Sequence, residues 1–123
     1  MKSNPFNNLP KINKREAINI LRKPISKMKL LSDYYKAVFH LVNFPCEESE
    51  EVLLDFIKYD CEKLEYKIAK RKAIEVLAIF DCQKAIPTIA DFLQDHNNDD
   101  YLVETAIWSL GKLQCNDINI INN

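Results

Sequence analysis

Aromatic, acidic and basic side chains stand at matched positions in three segments of this chain whose sequences resemble one another. The matched residues are Tyr35, Arg71 and Glu104 in one set, and Phe39, Glu75 and Trp108 in a second set four residues further along. Rings offer flat apolar contacts, a guanidinium binds carboxylates through paired hydrogen bonds, and carboxylates can transfer protons. On one shared face, such side chains are typical of a recognition surface.

A short basic cluster, Lys70 to Lys72 with Arg71 at its centre, adjoins this predicted surface. The cluster is too small to bind nucleic acid through counterion release, but it is large enough to hold one or two carboxylates. Ordinary structural roles stay open as well. Arg71 and Glu75 have the i,i+4 spacing of a surface ion pair, and Trp108 also fits a wide buried stripe.

Helices must position these side chains. Helical spacing of apolar residues predicts helices over residues 13–21, 34–44, 48–59, 64–80, 85–93 and 101–113. Asn13 and Glu16 have the spacing of a capping box, and Pro87 falls in the first turn of its helix, where proline is tolerated. The final residues, DINIINN, have the pattern of a helix that the chain begins and does not complete.

Three of these helices carry the same motif, A-x-x-x-L-x-x-[FL]-x-C, which indicates a helical repeat. The motif begins at Ala37, Ala73 and Ala106, with offsets of 36 and 33 residues. Helix pairs of this length bury their apolar faces only against neighbouring pairs, so they stack. We therefore predict an all-α, HEAT-like α-solenoid, a right-handed superhelix of antiparallel helix pairs. An N-terminal helix and linker at 1–30 would precede repeats at about 31–60, 63–94 and, incompletely, 99–123.

Composition excludes several classes of function. A single glycine in 123 residues excludes the glycine-rich phosphate loops of P-loop and Rossmann enzymes. The 17 basic and 18 acidic residues nearly cancel, which argues against general nucleic-acid binding. The sequence has no apolar run of membrane-spanning length and no signal-peptide pattern at its N-terminus. We therefore expect a cytosolic protein that does not insert into a membrane.

The cysteines, at positions 46, 61, 82 and 115, match no zinc-binding spacing. Three of them close the repeated motif, where a small, soft side chain packs well. We expect Cys46, Cys82 and Cys115 to be packing residues rather than nucleophiles, because no histidine accompanies them to stabilise a thiolate. His40 and His96 are far apart in the sequence and do not suggest a metal site.

Three stretches of the sequence carry a family resemblance. LSDYYKAVFHLVNFP begins at Leu31, KIAKRKAIEVLAIFDCQKAIPTIADFL at Lys67 and DDYLVETAIWSLGKL at Asp99. The last stretch contains the string V-E-x-A-x-W, which general HEAT proteins share less often than the alanine, leucine and glycine positions. From about Leu31 to Leu113, two-thirds of its length, the chain resembles the phycobilin lyases of the HEAT-repeat (E/F) clan, most of all the phycoerythrobilin lyases.

The resemblance implies that the protein binds an open-chain tetrapyrrole and assists its thioether attachment to a cysteine of a phycobiliprotein. The bilin, phycoerythrobilin, is then a substrate, with no permanently bound cofactor and no metal, and the nucleophilic cysteine belongs to the phycobiliprotein. The residues expected to bind the bilin are Tyr35, Phe39, Lys70, Arg71 and Trp108, with Lys72 as the alternative to Lys70 beside Arg71 at the two propionates. Glu75 and Glu104 are expected to face the pyrrole nitrogens or to supply the acid of the reaction.

The resemblance also implies a setting, the cyanobacterial cytosol at the phycobilisome and thylakoid, and a second lyase subunit as partner. Lyases of this clan are usually several hundred residues long. We therefore expect a shortened member, one half of a split protein or the product of a decaying gene. Two other functions stay open: a HEAT adaptor that binds another protein without catalysis, and a phycobilisome-associated factor in pigment turnover.

Overall fold

The structure, a computed structural model, describes residues 12–95 and 98–115, and for residue 115 the backbone only. Over these residues the chain forms six α-helices and no strand. They are α1 (Lys14–Arg22), α2 (Ser32–Leu41), α3 (Glu47–Lys58), α4 (Leu64–Ile79), α5 (Ile86–Asp91) and α6 (Asp100–Cys115). The all-helical prediction is confirmed. The DINIINN segment, His96 and the packing expected of Cys115 lie outside what the structure describes.

Local sequence explains several helix ends. The Asn13 side chain accepts a hydrogen bond of 2.8 Å from the backbone N–H of Glu16, which caps α1. The Asp99 carboxylate does the same for the N–H of Leu102 at 2.7 Å and caps α6. Pro87 lies in the first turn of α5, where its missing N–H leaves no hydrogen bond unmade.

The helices pack in the manner of a helical solenoid. Helix α4 lies between α2 and α6 and contacts both, so these three helices form one layer. Helix α1 packs on α2 and α3, α3 packs on α4, and α5 packs on α6. Helices α2 and α4 are thus each packed against more than one other helix, as in repeat proteins. We keep the division into individual repeats as a prediction.

The repeated motif corresponds to this layer. Its alanines, Ala37, Ala73 and Ala106, are fully buried, which allows the backbones of neighbouring helices to approach closely. The leucines one turn later are also buried, and Leu41 and Leu77 have no exposed surface. The spacing that suggested a repeat in the sequence therefore marks the contacts that stack α2, α4 and α6.

An aromatic cluster joins α2, α3 and α4. The rings of Phe56 and Tyr66 stack with centroids 4.3 Å apart, and the Tyr34 ring meets both edge-on at 5.2 and 5.4 Å. Both phenols donate to backbone carbonyls: Tyr66 to Phe56 at 2.7 Å, and Tyr34 to Lys23 at 2.5 Å. Burial raises the pKa of both tyrosines. The cluster fixes the ends of α2 and α4 on which the site depends.

The cysteines that close the repeated motif differ in their surroundings. Cys82 is buried after the turn that ends α4, where its N–H donates to Leu77 and Asp81 adopts a positive φ of 58°. Cys46 is only partly buried at the start of α3, with its Sγ 3.4 Å from the Ser49 hydroxyl. A packing role describes Cys82 well and Cys46 only in part.

Among the described helices, none has both the length and the apolar character that crossing a membrane requires.

Candidate functional site

An open groove crosses the layer formed by α2, α4 and α6. Its volume is about 500 Å³, within the range of small-molecule sites in proteins. The lining residues are Tyr35, Ile68, Arg71, Lys72, Glu75 and Thr105. Helix α4 supplies four of them, because positions three and four apart fall on one face of a helix. The structure thus brings three predicted site residues together: Tyr35, Arg71 and Glu75.

An aromatic pair on α2, the Tyr35–Phe39 wall, adjoins the groove, and its Tyr35 ring lines it. The rings of Tyr35 and Phe39, one turn apart on α2, are nearly parallel, with centroids 6.5 Å apart and an angle of 18° between their planes. The Lys72 ammonium lies 6.0 Å from the centre of the Phe39 ring, but Phe39 itself is outside the lining of the groove. Parallel rings of this kind offer a flat apolar surface to a conjugated ligand.

Helix α4 contributes two cationic side chains to the groove, Arg71 and Lys72. The Arg71 guanidinium carbon lies 5.0 Å from the centre of the Tyr101 ring on α6. The Lys72 ammonium forms an ion pair with Glu75, one turn later, at 3.4 Å. The alternative in which Arg71 pairs with Glu75 is therefore wrong, because Lys72 is the partner of that carboxylate. Arg71 instead links α4 to α6 through a cation–π contact.

Lys70 does not belong to the groove, contrary to the grouping expected from the sequence. Its side chain is only 7% exposed and packs between α4 and α5, with Nζ 5.9 Å from the Tyr66 ring centre and 5.6 Å from that of Phe92. Burial lowers the pKa of Lys70. Successive helical residues are about 100° apart, so Lys70 shares the buried stripe of Tyr66 and Ile74 while Lys72 faces the groove.

Helix α6 also differs in detail from the prediction. Thr105 lines the groove, whereas Glu104 and Trp108 are exposed and lie outside its lining. Trp108 is 53% exposed and has the Lys112 ammonium 5.8 Å from its ring, so the alternative in which it is a core residue is wrong. The repeat period identified equivalent positions correctly, but it does not fix how far each helix is rotated about its own axis.

Three residues of the site were missed from the sequence: Ile68, Tyr101 and Thr105. Lys72, the alternative to Lys70 in the sequence prediction, lines the groove. Thr105 is its equivalent 33 residues later, so alignment of that position would have found it. The repeated motif does not predict a role for Tyr101, because its contact with Arg71 is made across the interface between two helices.

A second cavity, of about 320 Å³, lies beside the aromatic cluster. Rings of Tyr34, Phe56, Tyr59 and Tyr66 line it, together with Asp55. None of the residues expected to bind or act on a ligand lies in it, and two of its phenols are already hydrogen-bonded to the backbone. The groove is therefore the better candidate site.

The groove combines three chemical features. A flat apolar wall suits conjugated rings, two cations suit carboxylates, and one carboxylate suits N–H groups or proton transfer. Within residues 12–95 and 98–115, no cluster of three histidine, cysteine or acidic side chains has the arrangement of a metal site. The arrangement is suited to binding a flat acidic ligand.

Comparison with known proteins finds curated relatives of the chain. The chain is 44% identical over 89 residues to the bilin biosynthesis protein CpeY of Synechococcus sp. (strain WH8020), which covers 70% of the chain and 20% of that protein. It is 34% identical over 106 residues to the uncharacterized phycocyanin operon protein Y of Pseudanabaena tenuis (strain PCC 7409), covering 86% of the chain and 25% of that protein.

Neither a protein-family model nor a solved structure matches the chain. The chain spans about a fifth to a quarter of the length of the curated relatives that it matches. The resemblance found in the sequence is confirmed: the chain is related to cyanobacterial proteins of bilin biosynthesis and the phycocyanin operon over that part of their length.

Proposed function

We propose that this chain binds an open-chain tetrapyrrole in the groove between α2, α4 and α6. It thereby assists thioether attachment of the bilin to a cysteine of a phycobiliprotein, as a phycobilin lyase or as part of one. The observation that carries the proposal is the placement of the Tyr35–Phe39 wall directly beside Arg71, Lys72 and Glu75. The relationship to a bilin biosynthesis protein supports it.

The chemistry of a bilin fits each part of the groove. Its conjugated pyrrole rings would lie against Tyr35 and Phe39, and its two propionates would approach Arg71 and Lys72. Its pyrrole N–H groups would donate to Glu75. We propose that the exposed Glu104 and Trp108 contact the ligand at the α6 rim, next to Thr105.

The reaction needs little beyond positioning and a proton. The thiol of the acceptor cysteine adds to the ethylidene double bond of ring A, so a carbon–sulfur bond forms and the proton of the thiol is balanced by protonation of the ring system. No leaving group or oxidant is required. A bilin held in one conformation gives one product, and the Glu75 carboxylate would accept the proton of the thiol and pass it to the ring system.

The nucleophile in this proposal belongs to the phycobiliprotein. Cys82 is buried and burial raises the pKa of its thiol, so it is unsuited to attack. Cys46 and Cys61 are partly buried, and neither lines the groove. An acceptor thiol supplied by a partner is consistent with a site that holds the bilin and leaves it open on one side.

We further propose phycoerythrobilin as the bilin, a second lyase subunit as partner, and action at the phycobilisome in the cyanobacterial cytosol. The relatives are four to five times longer than the matched region, which is consistent with further parts of the site outside this region. The groove would then be one face of a larger site.

The proposal is tested by expressing the chain together with phycoerythrobilin and a phycobiliprotein subunit, with and without a candidate second subunit. Zinc-induced fluorescence of the phycobiliprotein after denaturing electrophoresis reports covalent attachment. Attachment that depends on this chain, and that falls in Arg71→Ala but not in Lys70→Met, would support a lyase. Reversible colour on this chain alone would indicate a bilin carrier. Colour on neither protein would contradict the proposal and would leave the alternative function, a HEAT adaptor that binds another protein without catalysis.

A further inference from the structure

The two cations of the groove are held in different ways. Arg71 lies against the Tyr101 ring and forms no ion pair with a carboxylate among the residues that the structure describes. Lys72 is already paired with Glu75 at 3.4 Å. A ligand carboxylate can therefore bind Arg71 without competition from an ion pair, whereas at Lys72 it must compete with the carboxylate of Glu75.

We propose that the groove binds a ligand with two carboxylates at two unequal sites. The first is Arg71, which Tyr101 orients as a positioning residue. The second is Lys72, from which a ligand carboxylate must displace Glu75. The inference rests on the proposed function in one respect, that the ligand is a bilin with two propionates. It adds the order in which the two carboxylates bind, first at Arg71 and then at Lys72. It also assigns roles to Tyr101 and to the Lys72–Glu75 pair.

Tyr101 suits the role of orienting Arg71. It lies in the first turn of α6, 67% exposed, and its ring contacts a guanidinium from the middle of α4. A guanidinium that is held by its face keeps its N–H edge available for paired hydrogen bonds to a carboxylate. The ring therefore limits the side-chain freedom of Arg71 without occupying the atoms that bind the ligand.

The Lys72–Glu75 pair suits the role of a displaceable contact. Its side chains are 27% and 38% exposed, so water screens the attraction and the pair is weak. Exchange of one carboxylate for another leaves Lys72 with an ion-pair partner. It also releases Glu75, which then becomes available to the pyrrole N–H groups or to a proton in the same groove. Ligand binding and the freeing of this carboxylate are thereby one event.

The test uses biliverdin, an open-chain tetrapyrrole diacid, and its dimethyl ester, titrated against the purified chain and followed by absorbance. Glu75→Gln keeps an acceptor for the pyrrole N–H groups, which diacid and ester share, and removes the charge that competes at Lys72. It should therefore raise the ratio of diacid affinity to ester affinity by about two- to fivefold, the size expected for removal of a weak competing ion pair. Tyr101→Ala should weaken diacid binding by a similar factor, and Tyr101→Phe, which keeps a ring, should bind like the wild type.

Three results would overturn the inference. A ratio of diacid affinity to ester affinity that is unchanged or lower in Glu75→Gln would show that this carboxylate does not compete at Lys72. Equal losses in Tyr101→Ala and Tyr101→Phe, or equal losses for diacid and ester, would show that the ring does not act through Arg71. If the diacid does not bind the wild type, or if it binds the Arg71→Ala variant as tightly as the wild type, the groove is not the bilin site. The proposed function is then wrong as well. Circular dichroism of each variant verifies that its helices are intact.

Discussion

Neighbouring lysines on α4 have opposite surroundings. Lys70 is buried between the rings of Tyr66 and Phe92, while Lys72, two residues later, faces the groove and pairs with Glu75. In the sequence both belong to one basic cluster. The helical rotation between them was predictable, but the burial of Lys70 was not. Burial depends on Phe92, beyond the end of α5, reaching back to α4.

The buried position of Lys70 predicts a dependence of stability on pH. Burial lowers its pKa below the ordinary 10.5, so the folded protein disfavours the charged form. In the pH range between the folded and unfolded pKa values, the unfolded chain binds more protons, and stability rises with pH. The free energy of unfolding of the wild type should therefore rise relative to Lys70→Met as pH increases from neutrality toward 10.5.

Urea denaturation of both proteins across this pH range checks the prediction. At neutral pH the two should differ by no more than about 1 kcal/mol, because loss of two cation–π contacts is offset by removal of a buried charge. A difference that stays constant up to 10.5 would contradict the lowered pKa.

The thiols provide a second prediction for individual residues. The hydrogen bond between Cys46 and Ser49 lowers the pKa of Cys46, whereas burial raises that of Cys82. Iodoacetamide should therefore alkylate Cys46 at least about tenfold faster than Cys82 at neutral pH, as followed by peptide mass spectrometry. In urea the two rates should become similar. If Cys82 reacts faster than Cys46 in the folded protein, then Cys82 is not buried.

At the scale of helices, the stacked layer of α2, α4 and α6 should carry much of the stability. Leu77 is fully buried in this layer, while Ile79, at the end of the same helix, is 48% exposed. We predict that Leu77→Ala lowers the free energy of unfolding by about 2–5 kcal/mol, because it removes apolar contacts and leaves a cavity. Ile79→Ala should cost about 1 kcal/mol or less. Similar losses in urea denaturation would contradict the packing of α4.

Sequence periodicity predicted the helices well because each has a buried stripe. The repeated alanines at 37, 73 and 106 predict that the three helices that carry them stack together. The same periodicity did not predict the site on α6, where Thr105 faces the groove in place of Glu104. A repeat period fixes which positions are equivalent. The rotation of each helix depends on packing between helices, which a single sequence does not specify.

At the scale of the whole molecule, the groove depends on three helices that are far apart in the sequence. Tyr35, Arg71 and Thr105 meet only because α2, α4 and α6 stack in order. Arg71 and Tyr101 add a contact across the α4–α6 interface. The chain thus forms the candidate groove within a segment that spans a fifth to a quarter of its relatives.

Absorbance titration of phycoerythrobilin against the wild type, Arg71→Ala, Lys72→Met and Lys70→Met tests this site most directly. The two lysine variants make the same chemical change two residues apart, one facing the groove and one buried. We predict that Arg71→Ala weakens binding by about tenfold and Lys72→Met by about two- to fivefold, while Lys70→Met binds like the wild type. If Lys70→Met weakens binding as much as Lys72→Met, or if Arg71→Ala binds as well as the wild type, the bilin does not bind in this groove.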